Sequence, residues 1–138
     1  MALAIVVTLA KELPDAAAEY AKAKSGKALA RESDRIDSAA RRKSVTPITS
    51  MLSESQARLR EQMIAEGFDP SKMRLPPELW FPAADGLKTV RALIEHVTAN
   101  LNDFKQPNPI LRDLKAVESY LSSAEEAGIQ FHFTKSEL

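Results

Sequence analysis

An α+β fold is predicted for this chain: about five helices packed on a small sheet of two or three strands that takes in both chain ends. Three observations predict it. Leu3-Ala4-Ile5-Val6-Val7-Thr8-Leu9 is an apolar run rich in β-branched residues, the pattern of a strand covered on both faces. Ile129-Gln130-Phe131-His132-Phe133-Thr134 alternates apolar and polar, which marks a strand with one covered face. Between them the apolar residues recur at spacings of three and four, the period of helices. Two strands far apart in sequence and too short to stand alone are most simply joined in one sheet.

The elements follow in order. Pro14 and Asp15 open an Ala-rich helix to Lys24, since proline suits the first helical turn and an acid suits the positive helix end. Gly26 interrupts the pattern. A second helix is expected from Lys27 to Arg42, with Leu29, Ile36, Ala39 and Ala40 on its buried face. Ser44 to Leu52 is a connection, because Pro47 rules out regular helix. Ser53 and Gln56 read as a capping box for a helix from Glu54 to Glu66, closed by Gly67 with Phe68 folding back on Met63. Asp69-Pro70-Ser71 is a turn.

A stiff connector, Arg74 to Leu87, then carries three prolines and the single tryptophan. Asp85 is placed as the cap of a helix from Gly86 to Asn100 with the stripe Leu87, Val90, Ile94, Val97, Leu101, widened by Leu93. Asn108-Pro109 opens the next helix, which buries Ile110, Leu114, Val117, Leu121 and Ala124 and stops at Gly128. Lys135 to Leu138 is expected to fray.

At 138 residues the chain forms one domain, 1–138, with enough length to bury a core. Nineteen basic and nineteen acidic residues cancel, which removes any global field toward nucleic acid or an anionic membrane. The absence of cysteine excludes disulfides, thiolate catalysis and Cys-based zinc sites, and suits a reducing cytoplasm. No Lys or Arg precedes the first apolar run and Lys11-Glu12 follows it, the reverse of a signal peptide. Taken from Ala2 to Ala10, its nine residues are also too few to cross a bilayer.

Charge concentrates in one place. From Lys22 to Lys43 there are eight bases against Glu32, Asp34 and Asp37. On one continuous helix Lys27, Arg31, Arg35 and Arg42 fall within about 80° of one another, a candidate stripe for nucleic acid or another anion. The competing reading, a solvated face whose charges are balanced elsewhere, is preferred because the chain carries no net charge. Trp80 and Phe81 are the other binding candidates: an aromatic pair on a braced connector is either an interface anchor or a plug between helical layers. The plug reading is preferred. His96 is placed at the edge of its helix's apolar stripe, part-exposed, and His132 on the polar face of the last strand. No histidine–carboxylate spacing fits a metal, no Gly-rich phosphate loop occurs, and no nucleophile–base–orienter set can be assembled. No cofactor is expected.

The first strand, the Gly26-Lys27-Ala28-Leu29-Ala30-Arg31 helix followed by Asp34 and Asp37, the Trp80-Phe81-Pro82-Ala83-Ala84-Asp85-Gly86-Leu87 connector and the closing Phe131-His132-Phe133 strand resemble those of a group of small bacterial proteins without an assigned activity. The resemblance implies a bacterial, cytoplasmic, non-catalytic protein and brings no site residue with it. By elimination, the function expected is contact with an unidentified protein partner, as an adaptor or inhibitor-like protein. Nucleic acid or anion binding through Lys27, Arg31, Arg35 and Arg42 is one alternative. A small-ligand site or an enzyme pocket beside Trp80 is the other.

Overall fold

The computed structural model describes residues 3–23, 26–53, 56–72, 74–75 and 77–137. The helix ends expected at Lys24 and Glu54, and the terminal Leu138, lie outside them. Among the described residues there are six α-helices and two strands: β1 (Leu3–Leu9), α1 (Pro14–Lys22), α2 (Lys27–Arg31), α3 (Ser33–Arg42), α4 (Gln56–Ala65), α5 (Ala83–Ala99), α6 (Pro107–Ala127) and β2 (Phe131–Glu137). Both chain ends meet in one antiparallel sheet, with Leu3 opposite Glu137, Val7 opposite Phe133 and Leu9 opposite Phe131. β2 therefore runs to Glu137, and residues 135–137 do not fray. Pairing with β1 holds them.

The register gives each face of the sheet its own cover. Ile5, Val7, Phe131 and Phe133 are buried on one face. Gly86 of α5 comes so near that a β-carbon there would lie 2.4 Å from the Phe131 ring and 2.8 Å from Leu121 of α6. That helix lies flat against the strand because residue 86 has no side chain. α5 and α6 pack extensively on each other, and Leu87, Val90, Leu93, Val97, Ile110, Leu114, Val117, Leu121 and Ala124 are all buried. Leu101 departs from its expected stripe: it lies beyond the end of α5 and is exposed.

The sheet's edges are also closed. On the β1 edge, the Ile5 N–H donates to the Gly26 carbonyl at 3.0 Å and the Val7 N–H to the Tyr20 hydroxyl at 3.0 Å. Tyr20 stacks on Tyr120 of α6 with ring centroids 4.6 Å apart. Burial, aided by Glu12, raises the Tyr120 phenol above its ordinary pKa of 10.0. On the β2 edge, Leu52 and Phe81 form single bridges to Phe133 and Phe131. Each edge thus has part of its ladder already taken, which shortens what a foreign strand could pair with.

Several boundaries differ from the sequence expectation, each for a local reason. The helix expected from Lys27 to Arg42 is two helices, broken at Glu32. The Glu32 carboxylate is turned to the N–H groups of Lys105 and Gln106 at 2.7 and 3.2 Å, where it serves the start of α6. α6 answers in kind: buried Asp113 accepts the Ala28 N–H at 3.1 Å and caps α2. α6 begins at Pro107 rather than Pro109, since both prolines can occupy a first turn. α5 begins at Ala83, so Asp85 lies in its first turn and is not its cap. Ser53 does not cap α4 as far as the described residues go; its hydroxyl accepts the Leu79 N–H at 2.8 Å. The end of α4 matches expectation, with the Phe68 N–H donating to Met63 O at 2.8 Å and Gly67 at positive φ. No helix among the described residues is long and apolar enough to cross a membrane.

Candidate functional site

Two regions stand apart from the core. The first is the excursion between Leu52 and Phe81. It leaves β2 beside Phe133, where the Ser53 N–H donates to the Phe133 carbonyl at 2.9 Å. It returns beside Phe131, where Phe81 and Phe131 exchange hydrogen bonds of 2.8 and 2.9 Å. The Ser53–Leu79 bond ties its two stems together. Met51 and Ala83, just outside it, are buried, yet none of the residues from 53 to 80 whose burial is described is fully buried. The stretch nevertheless carries Leu59, Met63, Ile64, Phe68, Leu75, Leu79 and Trp80. Ile64 is 63% exposed, Phe68 55% and Leu79 48%, three of the five exposed large apolar residues among those described. α4 rests mainly on the short turn Pro70–Lys72. In that turn Asp69 accepts the Ser71 N–H at 3.0 Å and its hydroxyl at 2.7 Å, and these bonds lower the Asp69 pKa.

Trp80 closes this excursion over the second face of the sheet. Its ring lies 4.4 Å from that of His132, and the two are tilted by 43°. Trp80 is partly buried, with its ring on the strand face opposite the one that α5 covers rather than between two helical layers. His132, expected on a polar exposed face, is almost fully buried beneath it. Its Nδ1 lies 3.2 Å from the Thr134 hydroxyl, which in turn lies 3.0 Å from that of Thr8. Its Nε2 is buried without a hydrogen bond, 3.5 Å from a Glu78 carboxylate oxygen. Phe81 is half-buried and tilted against Phe131 at 6.3 Å.

The second region is a hollow of about 500 Å³ between α3, the end of α5 and the turn Leu101–Asp103. Its floor is Ala39, Phe104 and His96, all buried, with the His96 and Phe104 rings edge to face at 6.3 Å. His96 is thus a floor residue, where sequence reading left it part-exposed. Its rim carries Arg35 and Arg42 on one hand and Asp34 and Asp103 on the other. The break at Glu32 dissolves the four-residue basic stripe. Arg35 and Arg42 share the hollow, while Lys27 and Arg31 are exposed on α2, outside it. Arg35 is held 3.6 Å from the buried Glu32 carboxylate.

His96, Asp103 and Phe104 were not legible as a site because they reach the hollow from far along the chain. No group of three His, Asp or Glu side chains among the described residues is placed to hold a metal. No known protein family, curated protein or solved structure matches the chain.

Proposed function

We propose that the protein works by contact with another protein, and that the excursion from Ser53 to Trp80 is the contacting surface. One observation carries this: the stretch fully buries none of its residues whose burial is described, yet exposes Ile64, Phe68 and Leu79. Ordering a residue costs about 1–2 kcal/mol of backbone entropy. An ordered segment whose apolar side chains find no core recovers little of that unless a partner covers them. Between 53 and 80 there are four bases (Arg58, Arg60, Lys72, Arg74) against five acids (Glu54, Glu61, Glu66, Asp69, Glu78). Electrostatic steering is therefore weak, and the fitting partner presents an apolar cleft to α4 and Phe68. The near-neutral excursion and the broken basic stripe both argue against a nucleic-acid partner.

A photo-crosslinking residue placed at Phe68 tests this in cells of the source organism. A single crosslinked partner is expected, lost on adding Ile64→Ser and absent when the probe sits at exposed Arg112 of α6. Equal products from both positions, or none from Phe68, contradict the reading. A crosslinked pair of this chain would make the partner a second copy.

A further inference from the structure

The hollow beside α3 shares no residue with the excursion and has a chemistry of its own. Its rim charges are mixed, and three of the four are unspent. Arg42, Asp34 and Asp103 make no ion pair or side-chain hydrogen bond among the described residues, whereas Arg35 is already committed to Glu32. Asp34 and Arg42 lie eight positions apart on α3, about 12 Å along the axis at 1.5 Å per residue. One end of the hollow is thus cationic, at Arg42. The other is anionic on balance: Asp34 lies near the start of α3 beside Arg35, whose charge faces the Glu32 carboxylate. Asp103 lies on that side too, because the next two residues, Phe104 and Lys105, reach the floor and the Glu32 carboxylate. Between the ends the floor is apolar, with Phe104 and Ala39, and His96 supplies the one ring-nitrogen pair.

A simple anion would meet two unpaired carboxylates on the rim, and a simple cation would meet Arg42. A molecule with opposite charges at its two ends and an apolar stem matches all three parts. We propose that this hollow binds a small zwitterion of the amino-acid type, one with a carboxylate at one end and a distal ammonium or guanidinium at the other. The carboxylate sits on Arg42, the alkyl stem crosses Phe104 and the cation lies between Asp34 and Asp103. The flexible Arg42 stem shortens the span the ligand has to bridge. The volume is in the range of small-molecule sites.

Titration calorimetry on the full chain tests this with L-lysine as the probe, and with hexanoate, which lacks both ammonium groups, cadaverine, which lacks the carboxylate, and inorganic phosphate as a simple anion. L-lysine is expected to bind, with hexanoate and cadaverine each at least about tenfold weaker, the factor set by about 1.4 kcal/mol. Arg42→Gln and Asp103→Asn should each weaken L-lysine by a similar factor, while Arg112→Gln on α6 leaves it unchanged. All three side chains are exposed, and an unaltered thermal transition separates lost binding from lost folding. Phosphate or hexanoate binding as well as L-lysine, with Asp103→Asn indifferent, would make the hollow an anion site and overturn the proposal. So would the absence of heat from L-lysine at millimolar concentration.

Discussion

Truncation after Gly128 is expected to abolish cooperative folding. The segment removed carries β2, including Phe131 and Phe133, both fully buried. Truncating one buried phenylalanine to alanine costs about 3–5 kcal/mol, so losing two approaches the whole stability of an ordinary domain, about 5–15 kcal/mol. The loss does not stop there. β1 would keep no strand partner, and both stems of the excursion would lose their anchors on Phe131 and Phe133. Circular dichroism with thermal and urea melts reads the outcome. A truncated chain that retained a cooperative transition near the full-length midpoint would show that the sheet is an accessory rather than the centre of the fold.

Gly26→Ala should produce the second-largest effect, a loss of about 2–4 kcal/mol from backbone strain together with a weakened hydrogen bond. Gly26 has φ +111°, a conformation that side chains rarely adopt. A β-carbon there would also lie 2.4 Å from the carbonyl oxygen of Ile5. The obstacle is backbone in a sheet strand, so no side-chain rotation relieves it. Relief requires moving the Gly26 carbonyl away from the Ile5 N–H, which opens the β1 edge. A urea midpoint unchanged by the substitution would contradict this account of how α2 docks on β1.

Much of the fold was legible in the sequence because periodicity reports burial directly. The stripes of α5 and α6 and the joining of the two terminal strands follow from it, and Leu29, Ile36, Ala39 and Ala40 are buried as their spacing requires. What was not legible depends on contacts between distant residues. Nothing near Glu32 announces a helix break, since the cause is a carboxylate drawn to the backbone of residues 105 and 106. Alternation placed His132 on a polar face correctly, but its burial comes from Trp80, about fifty residues earlier. The pattern of a strand reveals its faces and not their cover.

The site followed the same division. The shared angle on a helix singled out Arg35 and Arg42, but a stripe drawn on one unbroken helix also took in Lys27 and Arg31, which the break at Glu32 carries away. Trp80 was expected to be buried in a connector. The connector is instead the returning stem of an exposed excursion, and Trp80 roofs His132 from half-buried. Composition cannot separate these cases: Ile64 and Phe68 look like core residues until the fold leaves them exposed.

The central claim, that residues 53–80 form a surface added to a complete fold, is most directly tested by the unfolding free energy of a shortened chain. Residues 54–77 would be replaced by a short Gly-Ser link, since Ser53 and Leu79 already lie within a hydrogen bond of each other. Glu78, Leu79, Trp80 and Phe81 remain, so the cover over His132 and the bridge to Phe131 are kept. The shortened chain is expected to unfold cooperatively with a stability within about 1 kcal/mol of the full chain. None of the residues removed whose burial is described is fully buried, and closing a shorter loop costs slightly less entropy. A chain that no longer folds, or that loses several kcal/mol, would place the excursion in the core and contradict the account.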